Sequence, residues 1–212
     1  MGIRTKEAGR THAERRLEAQ TRIVDAAFDL VASRGVDQLT LAEAGQAAGY
    51  SRALAAHYFG SREALLGAVA EHAVIAYRRQ LALHEGVEAE GLEGLLSAVG
   101  FYLDDSRGWA DQLRAYYEVA NAALRWPSIA VVVARLNREA VDRLAFHVRA
   151  GQQRGEICAD IDPEAQAVAV LGALHGIMTQ WLLSPGDVDM NRVRAAYIAS
   201  LRRTLTADAN KR

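Results

Sequence analysis

The chain has 212 residues, half of them hydrophobic, with 25 lysines and arginines against 26 aspartates and glutamates. The hydrophobic share argues against global disorder and supports a sizeable core, as one ordinary domain or a small one beside a larger one. A net charge of −1 argues against a general polyanion binder, and the single cysteine, Cys158, excludes an internal disulfide.

Residues 1–14 are expected to form a flexible basic arm. Across 1–22 six basic side chains, Arg4 to Arg22, outnumber three glutamates. That excess suits either a solvated tail or phosphate contact. With no apolar secretory segment at the N-terminus and one cysteine, the expectation is a cytoplasmic, reducing compartment. Purely apolar runs span only a few residues, as at 129–134, whereas a membrane span needs about 20, so no membrane partner is expected.

The first helix is predicted over Arg15–Arg34, with Leu17, Val24, Phe28 and Val31 at helical spacing and Gly35 as its stop. Two short helices follow, Thr40–Ala47 and Arg52–Tyr58, joined by Ala48-Gly49-Tyr50. Gly49 can take the positive φ of a tight turn, and Ser51 suits an N-cap. Gly60-Ser61 breaks the second short helix and caps the next. Two short helices on a tight turn read as a helix-turn-helix, whose second helix enters the major groove of duplex DNA. The predicted DNA-binding domain is 15–61.

Further helices are predicted at Arg62–His84, Leu92–Asp105, Trp109–Leu124, Ser128–Arg149, Pro163–Leu183 and Met190–Leu205. Pro127, Pro163 and Pro185 sit where helices start or stop, and Asp162-Pro163-Glu164 is a strong start signal. Gly151 and Gly155 read as a loop. With no sustained strand alternation, the fold class is all-α with about nine helices, residues 62–212 forming a helical ligand-binding and dimerisation domain.

On the proposed reading helix, Arg52 is the one long cation, suited to bidentate contact with guanine. Tyr50, Ala53 and Leu54 can touch a groove edge. Thr40, Ser51, His57, Tyr58 and Arg62 are candidate phosphate contacts, with Thr40 and Arg62 at helix starts where backbone amides favour anions.

The order Gly49-Tyr50-Ser51-Arg52, then His57-Tyr58-Phe59-Gly60-Ser61-Arg62-Glu63-Ala64-Leu65, resembles the reading head of the tetracycline-repressor (TetR) family. Ile23-Val24-Asp25-Ala26-Ala27 and Ala32-Ser33-Arg34-Gly35-Val36 resemble that family's first helix and its glycine stop. The close resemblance covers residues 17–70; beyond them it rests on helical layout. It implies a regulator that dimerises through its last two long helices, with Phe59 as a core residue. Ala44, Ala55 and Ala56 depart from the family pattern, which has isoleucine, leucine and a phosphate-touching tyrosine there. Together with Gly45 inside a helix, which costs about 1 kcal/mol relative to alanine, they predict a loosely packed head.

Helices four to seven carry aromatic residues and a few polar groups, the makings of a small-molecule site. Tyr77, Tyr102, Tyr117, Asn121, Phe146 and His175 are the candidate ligand contacts, and ordinary aromatic core is the competing account of each. The eighth helix has apolar stripes on two sides and so needs partners on two sides. Leu171, Leu174, His175, Met178, Trp181 and Leu182, with Val193, Tyr197 and Leu201 of the ninth, are the expected dimer contacts.

Chemistry has little support. Gly49-Tyr50-Ser51-Arg52-Ala53 falls short of a G-x-S-x-G elbow, which also needs a preceding strand. No H-E-x-x-H or E-x-x-H pair occurs, so neither catalytic residues, metal nor cofactor are expected. The reading is a homodimeric DNA-binding regulator, a repressor released from its double-stranded operator by a small-molecule effector. The alternative is a helical small-molecule-binding or scaffold protein that has lost DNA binding.

Overall fold

The computed structural model describes residues 11–82, 89–104 and 110–206, with side chains of 11–75, 89–104, 110–111 and 113–206. Within these residues the chain is all-helical: α1 (His12–Arg34), α2 (Leu41–Ala47), α3 (Arg52–Phe59), α4 (Arg62–Ala82), α5 (Gly91–Tyr102), α6 (Ala110–Ala123), α7 (Pro127–Gln153), α8 (Pro163–Leu183) and α9 (Met190–Thr206), with a 3-10 turn at Val36–Gln38.

Helix α1 starts earlier than predicted, because Thr11 and Glu14 form a capping box. The Glu14 amide donates to the Thr11 hydroxyl at 3.2 Å, and the Thr11 amide donates to the Glu14 carboxylate at 2.7 Å. Residues 12–14 are therefore helix rather than arm; residues 1–10 lie outside the described ones. Thr40 and Glu43 repeat the box at α2, where the Thr40 hydroxyl also donates to Glu43 at 2.8 Å.

Ala44 and Ala55 are fully buried where α2 crosses α3. A Cβ on Gly45 would stand 2.9 Å from the Ser51 carbonyl oxygen and 3.4 Å from the Ala55 Cβ. Small residues thus let the two helices approach closely, and the expectation of a loosely packed head does not hold. Gly49, at φ 80°, turns the chain between them.

Two clusters form the core. The first joins α1, α2, α3 and α4 to α6 and α7, through residues such as Ile23, Ala55, Leu66, Val119 and Ile129. The second joins α5, α7, α8 and α9, with Leu113 of α6, through Leu95, Phe101, Val148, Val170 and Leu205. The reading head therefore shares its core with two helices of the C-terminal half.

Helix α7 runs a turn further than predicted, through Gly151. A Cβ there would lie 2.6 Å from the Ile157 side chain, so the glycine serves close packing and Gly155, at φ 71°, makes the actual stop. Helix α8 is long and apolar enough to cross a membrane by length and composition alone, although its purely apolar runs are short. Only 22% of its apolar window is buried within the chain.

Candidate DNA interface and effector cavity

Helix α3 offers an exposed strip of Arg52, Ala53, Ala56 and His57, continued by Ser51 at its start. Tyr58 and Phe59 pack against the first core cluster, and Leu54 is half-buried. Ser51 is exposed and takes the N-cap backbone geometry without a side-chain capping bond. Thr40 is exposed as well, but its hydroxyl already serves the capping box.

Two cations of α1 join this surface. The Arg16 guanidinium lies 5.7 Å from the Tyr58 ring centroid, and that of Arg22 lies 5.5 Å from the Tyr50 ring. Each aromatic ring thus holds an α1 arginine beside α3. The sequence signalled these arginines only as part of a general basic excess.

Arg62 is placed differently from the other expected phosphate contacts. It donates to the Val36 carbonyl and lies 4.6 Å from the Trp126 ring centroid, with its Nε buried and without a partner among the described residues. Beside it, Arg125 stands 3.7 Å from Asp37. These contacts tie the 3-10 turn of the head to the turn between α6 and α7.

The second site is a small cleft between α4, α5, α6, α7 and α8, partly open to solvent. Its apolar wall is Ala73 and Val74 of α4, Leu113 of α6, Leu136 of α7 and Leu171 of α8. Its polar wall is Tyr102, Tyr116, Asn137, Arg143 and His175. The Tyr102 and Tyr117 hydroxyls are 2.8 Å apart, and the Tyr116 hydroxyl donates to Asn137 Oδ1 at 2.8 Å. The His175 ring lies 5.5 Å from Tyr117, edge-on, and 6.0 Å from Tyr116.

Burial sets the charge of this wall. It pushes the Tyr116 hydroxyl up to about 12 and pulls the His175 imidazole down to about 4. At neutral pH the histidine is uncharged, with one donor and one acceptor. An adjoining small space follows the same face of α7 past Ala140 and Arg143 to His147. The His147 Nδ1 is buried with no partner among the described residues, packed where a Cβ on Gly94 would stand. Burial lowers the pKa of this ring, while Glu90 acts in the opposite sense.

Of the expected ligand contacts, Tyr102 and His175 line the cavity and Tyr117 supports them from behind. Asn121 is a correction: it is exposed, on the side of α6 opposite Ala115, Val119 and Ala122. Phe146 is also outside the cavity, 47% exposed against His147. The side chain of Tyr77 lies outside the described ones. Asn137 and Arg143 were not anticipated, although Asn137 breaks the apolar face formed by Val133, Leu136, Ala140 and Leu144.

The expected dimer contacts divide. Leu174, Met178 and Leu201 are buried inside the second core cluster, which corrects their assignment to a partner surface. Leu171 and His175 face the cavity, while Trp181, Leu182, Val193 and Tyr197 are half-buried. The face of α8 left open runs along Val168, Ala169, Gly172, Gly176, Thr179 and Leu183. No cluster of three or more histidine, cysteine or acidic side chains suited to a metal occurs among the described residues.

Residues 23–69 match the model of the bacterial regulatory proteins of the tetR family, and residues 91–206 match that of the BetI-type transcriptional repressor C-terminal domain. A protein from Rhodococcus sp., described as a TetR-family transcriptional regulator, superposes with a TM-score of 0.79 at 21% identity, over 89% of this chain and 98% of its own. A transcriptional regulator from Saccharomonospora viridis in complex with choline gives 0.73 at 22% identity, over 87% and 95%. The fatty acid degradation regulator FadR from Bacillus halodurans gives 0.68 at 18% identity, over 93% and 96%. No curated protein matches significantly.

Proposed function

Because the chain belongs to the TetR family of transcriptional regulators, we propose that it is a homodimeric repressor released from its operator by a small molecule bound in the α4–α8 cavity. The observation that carries this reading is the double duty of α4. Leu65, Leu66 and Val69 close the core of the head, while Ala73 and Val74 of the same helix line the cavity. A ligand that displaces the second pair acts on a rigid element seated in the first. That is a coupling free energy between two sites, and it requires the ligand to favour one placement of the heads over another.

Arg52 reads a base, with Ser51 and His57 at the backbone. Arg16 and Arg22 supply sequence-independent charge. The second subunit lies against the open face of α8, whose apolar composition and low burial in one chain call for cover. In such a dimer the same patch meets itself, and the two heads address half-sites about one helical turn, or a multiple, apart. The choline complex of a structural neighbour supports small-molecule binding within this fold.

A gel-shift titration on the DNA flanking its own gene, over a salt series, tests the reading. Saturable binding that steepens at low salt and is lost in Arg52→Ala supports it. Salt-dependent binding absent on every fragment would instead favour the helical ligand-binding or scaffold protein.

A further inference from the structure

Taking α3 to be the helix that enters the major groove, we propose that Tyr50 and Tyr58 are positioning residues for DNA: their rings hold Arg22 and Arg16 of α1 at the two ends of α3, placed for the phosphate backbone. The Arg22 guanidinium lies 5.5 Å from the Tyr50 ring centroid, and its Nη2 stands 3.9 Å from where a Cβ on Gly49 would be. It therefore reaches across from α1 to the turn that leads into Ser51 and Arg52. The Arg16 guanidinium lies 5.7 Å from the ring of Tyr58, next to last in α3. The 8 residues of α3 span about 12 Å, so the two cations flank its exposed strip at opposite ends.

An aromatic ring suits this task. It attracts a guanidinium without cancelling its charge, which stays available to phosphate oxygens. Both rings are themselves held, since Tyr50 and Tyr58 are half-buried and pack against the first core cluster. Arg16 and Arg22 are exposed. A long exposed side chain loses rotamer freedom when it takes a phosphate, and a contact already made in the free protein removes part of that cost. The role needs the rings and not the hydroxyls. It therefore differs from the groove-edge and phosphate contacts expected of these two tyrosines from the sequence.

Fluorescence anisotropy of the full-length protein, titrated against the duplex flanking its own gene and a scrambled duplex of equal length, tests the proposal. Tyr50→Leu and Tyr58→Leu should each weaken binding about two- to fivefold on both duplexes, the size of an exposed cation–π contact. Tyr50→Phe and Tyr58→Phe, which keep the ring, should recover most of that loss. In the Arg16→Ala background Tyr58→Leu should cost nothing further, and in Arg22→Ala the same should hold for Tyr50→Leu. A general weakening of the fold would persist without the arginine, so these cycles separate positioning from stability. Phenylalanine variants as weak as the leucine variants would make the hydroxyls the contacts and overturn the proposal. So would losses that add in full in the double variants. Arginine variants that weaken binding beside leucine variants that bind like the wild type would defeat the proposal and leave the charge of Arg16 and Arg22 in its assigned role. Arginine variants that bind like the wild type would defeat both. A wild type that binds neither duplex removes the DNA-binding reading and the proposal with it.

Discussion

Arg62 opens α4 with its guanidinium 4.6 Å from the ring centroid of Trp126, while the same group donates to the carbonyl of Val36. One side chain from the start of the long connecting helix thus fastens the head to the start of α7. The stack and the hydrogen bond make Arg62 a structural residue in the DNA-free protein.

Arg62→Ala should therefore lose about 1–3 kcal/mol of stability in urea, since it removes a cation–π contact and leaves a carbonyl short of a donor. Its operator binding should weaken with an unchanged salt slope. A slope smaller by about one unit, with stability intact, would return Arg62 to the phosphate contacts.

Arg52→Ala should lose about 1–3 kcal/mol on the cognate operator and relax preference at one base pair. Arg16→Ala and Arg22→Ala should weaken all sequences alike and reduce the salt slope by about one unit each. Competition gel shifts with single-base operator variants distinguish the two patterns. Equal losses on every sequence for Arg52→Ala would remove it from the reading set.

The subunit contact is best probed at Gly172. A side chain there meets nothing within 4 Å in the single chain, and a helix-forming residue in place of glycine gains about 0.5–1 kcal/mol. Gly172→Gln should thus leave each chain folded while shifting sedimentation toward monomer and weakening operator binding. A wild-type monomer at micromolar concentration would defeat the dimer altogether. Leu174 and Met178 are poor probes, because charge at either would disrupt the core of one chain.

Acid should loosen the cavity wall. His175 takes a proton near pH 4 when folded but near 6.5 when unfolded, so between these values the unfolded state binds more protons. Stability is complete above about pH 6.5, falls as pH drops toward 4, and levels off below. Among the described residues, Tyr102, Tyr116, Tyr117 and Arg143 are the titratable groups facing this ring or sharing its cavity, and none is a carboxylate. Because the ring keeps some exposure, the loss is about 1–3 kcal/mol. His147, shifted the same way, adds to it. Urea midpoints at pH 7, 5.5 and 4.5 for the wild type and His175→Phe check this; identical pH dependence in both would refute the assignment to His175.

What could be read from the sequence follows what is local. Helix type, the Gly49 turn and the Gly35 stop depend on a few neighbouring residues, and the helices lie close to their predicted spans. The misses arise where a distant element decides. Gly151 looked like a loop because Ile157, which packs over it, cannot be inferred from periodicity. The stripes of α8 were visible, but which of them α5 and α7 claim is a tertiary fact, so inner residues were assigned to a partner. Asn121 was singled out as a polar group on an apolar face. The same reasoning applied to α7 would have found Asn137, whose neighbours one turn away on both sides are apolar. The Thr11-Glu14 box is a local signal as well, set among basic residues that by composition suit a solvated tail.

The first core cluster carries a consequence for anyone wishing to transplant the head. Ala115, Val119 and Ala122 of α6, with Ile129 and Val133 of α7, complete the packing of α1 and α4. Residues 11–61 grafted onto a foreign helical body would leave Ile23, Ala27 and Val31 facing a surface shaped for other side chains. Operator specificity in this protein is therefore portable as a set of α3 side chains exchanged in place. It is not portable as a cassette.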